Sequence, residues 1–158
     1  MNNTTEFGWG IIGTGCIANA FARDIEYLDG HRISCVLSRS MVTANDFTST
    51  LNNCYGYEDM DSFLKDKNLD AVYIATPNTY HAEQTIRALE AKKPVLCEKP
   101  FAMNLDEVES MVKASTINNT TLLEGMWTRY LPHIKEVRQI LSVLGVSTLE
   151  ELERVVNE

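Results

Sequence analysis

Apolar and polar positions along this chain switch repeatedly between two periods. Short apolar runs with strand formers stand at Trp9–Gly13, Arg32–Ser38 (RISCVLS), Asp70–Thr76 (DAVYIAT), Pro94–Lys99 (PVLCEK) and Thr120–Gly125 (TTLLEG). Cys54–Asp59 holds a short strand at most. Between these runs, apolar residues recur at helical spacing over Ala18–Tyr27, Met41–Leu51, Met60–Lys67, Tyr80–Ala91 and Leu105–Ser115, with threonines weakening the second of these. About six strands interleaved with helices predict an α/β fold: a doubly wound parallel sheet with helices on both faces. Right-handed crossovers bury both faces of such a sheet, which accounts for strands that are apolar throughout rather than alternating. No internal repeat or low-complexity linker interrupts the pattern.

Composition narrows the setting. The 158 residues suffice for one sizeable core, and 44% hydrophobic with 23% charged residues is ordinary for a soluble domain. With 14 basic and 22 acidic side chains the net charge is -8, which argues against a nucleic-acid surface and against adhesion to anionic membranes. One small anion held by a local site remains compatible with it. The start, MNNTTEF, has neither the basic nor the apolar region of a secretory signal, and no window is long and apolar enough to span a bilayer. Cys16, Cys35, Cys54 and Cys97 are widely spaced with no C-x-x-C pair, so neither a metal knuckle nor a dithiol is visible and a cytoplasmic location is expected.

The candidate chemistry lies where predicted strands end. Gly13-Thr14-Gly15-Cys16-Ile17-Ala18 fits G-x-G-x-x-G/A after a strand and before a helix. In that pattern Gly13 permits the tight turn, Gly15 lets backbone approach a pyrophosphate, and Ala18 lets the helix pack closely on the sheet. The free N–H groups at the helix start favour an anion there. An NAD-specific site usually has Asp or Glu at the end of the second strand, whereas this chain has Ser38-Arg39-Ser40 and no acid between Gly30 and Asn45. Arg39 pairing with a 2′-phosphate, with hydrogen bonds from Ser38 and Ser40, favours NADP over NAD; the competing reading is a solvated loop arginine. The fourth strand ends in ATPNTYH, where Thr76 and Pro77 make the turn and Asn78 and His81 flank the next helix start. His81 either faces a cofactor or caps and packs. The fifth strand ends in CEKP. Beside a cationic nicotinamide the Lys99 ammonium is disfavoured, which suits proton transfer with a substrate hydroxyl; a surface lysine paired with Glu98 is the alternative.

Taken together, GIIGTGCIA, SRS, AVYIATPNTYHAEQTIRALEAKKPVLCEKP and EGMWTRYLP resemble the glucose–fructose oxidoreductase / inositol dehydrogenase / rhizopine-catabolism (Gfo/Idh/MocA) family over about residues 7 to 140. MWTRYLP looks most like the branch with dimeric dihydrodiol dehydrogenase and NADP-dependent D-xylose dehydrogenase. The resemblance implies a Rossmann domain, residues 1–140, that binds a nicotinamide dinucleotide and serves an oxidoreductase acting on sugars, polyols or diols. It implies Gly13, Gly15 and Ala18 around the pyrophosphate, with Thr14, Cys16 and Ile17 in the same turn, and Ser38, Arg39 and Ser40 at the 2′-phosphate. Thr76, Pro77, Asn78 and His81 would line the path to nicotinamide. Glu98 would be the ribose ligand and Lys99 the catalytic lysine, aimed inward by a cis Lys99–Pro100 bond. Trp127 and Arg129 would pack at the nicotinamide end; on residue type alone they read as a core tryptophan and a surface ion pair.

The chain departs from the family after Ile140. Relatives run into a glycine turn and a strand that opens a substrate domain, which also often carries a homo-oligomer interface. Here LSVLGVSTLEELERVVNE follows. Ser147 or Thr148 as cap, Glu150 or Glu151 completing a capping box, and an apolar stripe of Leu149, Leu152, Val155 and Val156 predict a short amphipathic helix in residues 141–158. The resemblance therefore implies that the substrate domain is absent. Two functional readings stand: the cofactor domain of an alcohol–carbonyl oxidoreductase, and a non-catalytic NADP(H)-binding or interaction module.

Overall fold

A computed structural model of the chain describes residues 6–146 and Thr148. All six expected strands form: β1 (Phe7–Ile12), β2 (His31–Leu37), β3 (Tyr55–Tyr57), β4 (Ala71–Ile74), β5 (Val95–Cys97) and β6 (Leu122–Glu124). Every pairing is parallel and the order across the sheet is β3-β2-β1-β4-β5-β6. Between strands run α1 (Cys16–Ile25), α2 (Met41–Thr48), α3 (Met60–Leu64), α4 (His81–Glu90, preceded by a 3-10 turn at Asn78–Tyr80) and α5 (Leu105–Asn118).

Strand geometry sends neighbouring residues to opposite faces, and the core divides accordingly. Ile12, Cys35, Leu37, Val72, Ile74, Val95 and Cys97 pack with Phe63 and Leu64 of α3, Ala88 and Leu89 of α4 and Met111 of α5. Ile11, Ile33, Val36, Tyr73 and Ala75 pack with Ala18, Ala22 and Ile25 of α1 and Phe47 of α2. The two layers confirm helices on both faces and explain the absence of polar alternation in the central strands.

Local chemistry sets the helix starts. Ser40, Asp59 and Asn104 cap α2, α3 and α5 by accepting from the N–H groups of Thr43, Ser62 and Glu107. Such caps contribute roughly 1 kcal/mol each. Glu107 reaches back to the Met103 N–H at 3.0 Å, a capping-box-like exchange that starts the longest helix. That helix ends at Asn118, three residues beyond the predicted Ser115, where Asn119 turns left-handed (φ 49°) and closes it.

Two compact units divide at Gly125/Met126, so the boundary expected at residue 140 falls inside a helix. The first unit holds the sheet. The second contains a 3-10 turn at Trp127–Tyr130 and α6 (Pro132–Val143), a helix absent from the sequence-based expectation. Proline at its first turn and Gly145 (φ 69°) after its end bracket α6. The expected tail helix rests on residues outside those described. Among the described residues, no helix is long and apolar enough to cross a membrane.

Candidate functional site: the carboxyl ends of the strands

The strand order reverses between β1 and β4, and the loops that leave their carboxyl ends stand at this switch point, where open α/β sheets bind ligands. Each loop is anchored at its first residue to the neighbouring strand. Gly13 N–H donates to Leu37 O (2.9 Å), Ser38 N–H to Tyr57 O (2.9 Å), Ala75 N–H to Ile12 O (2.9 Å), Glu98 N–H to Ile74 O (3.0 Å) and Gly125 N–H to Cys97 O (2.6 Å). The candidate residues of the first unit therefore emerge from one edge of one hydrogen-bonded sheet.

The two glycines of the first loop are required for different reasons. Gly13 has φ 106°, and a Cβ there would stand 2.8 Å from Ala75 O. The chain itself demands glycine at that point. Gly15 has φ -80° and ψ -175°, which any residue adopts, and a Cβ there meets nothing within 4 Å. Nothing inside the described chain requires a glycine there, and its backbone is open to close approach by a ligand. Helix α1 starts at Cys16 with no side-chain cap and no acid in its first turn, so its leading N–H groups face outward with the positive end of the helix. A pyrophosphate group fits this cradle. Thr14 is partly buried, Cys16 and Ile17 are exposed on the first turn, and Ala18 is fully buried, which seats the helix against the sheet.

At the end of β2 the hydroxyl groups form a cluster. Ser38 Oγ lies 2.6 Å from Thr43 Oγ1 and 3.4 Å from Thr14 Oγ1, and Ser40 Oγ lies 3.1 Å from Thr43 Oγ1. Thr43 is a member that the sequence reading missed, because it sits one helical turn into α2. Arg39 is exposed and belongs to none of the ion pairs among the described residues, which are Arg23–Asp24, Arg32–Glu6 and Arg87–Asp61. Beside this cluster Glu58, arriving from the end of β3, accepts from the Met41 N–H at 2.9 Å. The sequence reading found no acid along the second strand; the fold brings one to the start of α2 from the third.

After β4, Thr76 donates to Gln84 Oε1 at 2.6 Å, while Pro77 is exposed and Asn78 partly buried in the following turn. His81 is 1% exposed, with Nε2 2.9 Å from Thr76 O and Nδ1 3.0 Å from Pro100 O. Both ring nitrogens thus face backbone carbonyls, and a neutral imidazole donates to only one of them. Its burial favours the packing reading: the imidazole lies between the turn after β4 and the turn after β5, with a carbonyl against each nitrogen. The signal was available only in part, since His81 stands four residues before Thr85 and so shares the buried face of α4.

After β5, Glu98 Oε1 accepts from the Tyr73 hydroxyl at 2.6 Å and Oε2 from the Lys99 N–H at 3.2 Å. Burial, and then this hydrogen bond, push the Tyr73 phenol well above its usual range. Lys99 is exposed and forms no ion pair with Glu98; the Lys99–Pro100 bond is cis, as expected. In the second unit, Trp127 is 59% exposed and so is no core tryptophan, and Arg129 is exposed outside the ion pairs named above.

Comparison with known proteins agrees with this arrangement. Over 135 residues the chain is 37% identical to a scyllo-inositol 2-dehydrogenase (NADP(+)) of Bacillus subtilis, covering 85% of this chain and 41% of that protein. It is 33% identical over 144 residues to the trans-1,2-dihydrobenzene-1,2-diol dehydrogenase of Danio rerio, covering 90% of this chain and 43% of the relative. A 3-ketoreductase from Actinomadura kijaniata, solved with TDP-benzene and NADP, superposes with a TM-score of 0.79 at 27% identity, over 88% of this chain and 44% of that one. A scyllo-inositol dehydrogenase from Lactobacillus casei, solved with NAD(H) and scyllo-inositol, superposes at 0.79 with 22% identity, over 87% of this chain and 41% of that one, and shows the fold alone. The chain thus spans about two fifths of the length of these curated relatives. A family model described as "Oxidoreductase family, NAD-binding Rossmann fold" matches residues 7–126, the same stretch that carries the glycine turn, the strand-end loops and the whole sheet, and on that match the chain belongs to the Gfo/Idh/MocA oxidoreductase family.

Proposed function

We propose that the chain is the NADP(H)-binding domain of an oxidoreductase that interconverts a secondary alcohol of a sugar, polyol or diol with the corresponding carbonyl. The observation that carries the reading is Gly15: a glycine with ordinary backbone angles and open space at its Cβ position, set at the uncapped start of α1 at the switch point of the sheet.

Each strand-end loop has a task in this reading. The backbone of Gly13, Thr14, Gly15, Cys16 and Ile17 holds the pyrophosphate, with Ala18 setting the helix close. Arg39 supplies a planar, permanently charged donor for a 2′-phosphate, and Ser38, Ser40 and Thr43 supply hydroxyls beside it. Thr76, Pro77 and Asn78 line the path, and His81 positions that loop from beneath. Glu98 accepts from a ribose hydroxyl. When bound, the nicotinamide supplies hydride acceptance and donation. Lys99 Nζ, in its amine form, takes the proton from the substrate hydroxyl in the oxidation, and the ammonium so formed returns it in the reduction, a role that suits a flexible side chain on an exposed loop. The relatives named above act on inositol, dihydrodiol and keto substrates, which supports a CH–OH substrate class.

Glu58 favours a second reading of the cofactor. Its carboxylate already occupies the first N–H of α2, beside the hydroxyl cluster, where negative charge opposes a 2′-phosphate. Calorimetric titration of the purified chain with NADPH and NADH separates the two. Tighter binding of NADPH supports the first reading; tighter binding of NADH transfers the site to NAD; binding of neither removes the nucleotide from the proposal.

A further inference from the structure

Tyr73 is the only phenol inside the central strand β4, whose other members are Ala71, Val72 and Ile74. It is 2% exposed, and its ring stacks face to face on Phe21 of α1, with centroids 3.8 Å apart and planes 18° from parallel. Phenylalanine would satisfy that packing equally. A buried hydroxyl instead needs a partner, and here the partner is Glu98 Oε1 at 2.6 Å. The other carboxylate oxygen accepts from the Lys99 N–H at 3.2 Å. The backbone at Gly125 closes a third side: a Cβ at that glycine would lie 3.3 Å from Glu98 Oε1. A carboxylate has about four lone-pair positions, so acceptor capacity remains after both contacts. The raised ionisation of the buried phenol keeps its proton available as a donor throughout the neutral range.

We propose that Tyr73 is a positioning residue for the nucleotide site: its hydroxyl locks the Glu98 carboxylate in one orientation against the Lys99 backbone, leaving the remaining lone pairs directed for the ribose next to nicotinamide. The inference rests on the reading of Glu98 as a ribose ligand. It adds a group from the strand interior that contacts no ligand itself. The stack on Phe21 also ties this carboxylate to α1, the helix that begins at the glycine turn, so both ends of the nucleotide site share one rigid support.

The test compares two ligands by calorimetry: NADPH, and 2′,5′-ADP, which lacks the nicotinamide riboside. Tyr73→Phe keeps the ring and its stack. Its expected effect is about tenfold weaker NADPH binding, the scale of a lost hydrogen bond to a charged group, with 2′,5′-ADP changed by less than about twofold. In a Glu98→Ala background, Tyr73→Phe is expected to cause no further loss. Equal losses for both ligands would mean a general loosening of the fold and would overturn the proposal, as would unchanged NADPH affinity or full additivity with Glu98→Ala. If the unaltered chain binds 2′,5′-ADP but Glu98→Ala leaves NADPH affinity unchanged, the ribose-ligand reading itself fails and takes the inference with it.

Discussion

Gly13 and Gly15 are two residues apart in one motif, yet the structure separates their roles so cleanly that one substitution at each distinguishes scaffold from ligand contact. Gly13→Ala places a side chain in the left-handed region at φ 106°, which costs an L-residue about 1–2 kcal/mol. It also brings the new Cβ to 2.8 Å from Ala75 O and 3.0 Å from Ala75 C. Those atoms are backbone, held by the Ala75 N–H bond to Ile12 O, and cannot rotate away, so overpacking adds about 1–3 kcal/mol. The combined loss is about 2–5 kcal/mol, a large share of the ~5–15 kcal/mol typical of a folded domain. At about 2–4 °C per kcal/mol for a chain of this size, Tm should fall by about 4–20 °C. Gly15→Ala meets no atom within 4 Å and needs no change of backbone angle. Its cost is that of alanine as a poor helix cap, at most about 1 kcal/mol, and Tm should move by less than about 4 °C. NADPH affinity should nevertheless drop about tenfold or more, because the methyl group stands where the pyrophosphate approaches the backbone. Thermal unfolding and calorimetry on both variants decide the matter. A Gly15→Ala protein that binds NADPH normally, or that unfolds as early as Gly13→Ala, refutes the reasoning.

Arg39→Ala removes the charged partner of the 2′-phosphate and should weaken NADPH by about ten- to a hundredfold while changing NADH little; equal losses in parallel titrations would place the discrimination elsewhere. Glu58→Gln should move the preference the other way, tightening NADPH relative to NADH, because it removes a negative charge at the start of α2. Lys99→Ala, made in a version of the protein with a complete substrate site, should cut kcat by about a hundredfold or more and leave NADPH affinity near normal; undiminished kcat would remove Lys99 from the chemistry. Stability should be flat through neutrality and fall above pH 9. Burial pushes the Cys35 thiol from 9.0 up to about 12 and, together with the Asp66 contact, the Tyr57 phenol from 10.0 up to about 12. The unfolded chain therefore ionises first, so stability is complete below the unfolded values and is lost as pH rises toward 12. Denaturant midpoints unchanged between pH 8 and pH 10.5 would contradict this.

Much of the fold was legible because the strands are buried on both faces. DAVYIAT and RISCVLS have no polar face to present, and only a sheet covered on both sides accommodates such runs; the two core layers fulfil that requirement. Boundaries were less legible where local hydrogen bonding decides. The helix expected at Met60–Lys67 stops at Leu64, and Asp66 accepts instead from the Tyr57 hydroxyl and the Asn68 N–H. Helix α6 was legible in principle, since Ile134, Val137 and Leu141 recur at helical spacing behind a proline start.

The amino-acid sequence by itself determined the succession of strands and helices, the glycine turn and the residue types at each strand end, because apolar period, cap chemistry and backbone freedom act over a few neighbouring positions. Tertiary structure decided which of those ends meet. It set the β3-β2-β1-β4-β5-β6 order that puts the Gly13 loop beside Ala75, brought Glu58 to α2, buried His81 between two turns, and gave the Glu98 carboxylate to Tyr73. Most of these pairings join residues 17 to 62 positions apart in the chain, and a hydrogen bond forms only where packing of the whole sheet brings donor and acceptor within about 3 Å, a distance that no local pattern encodes.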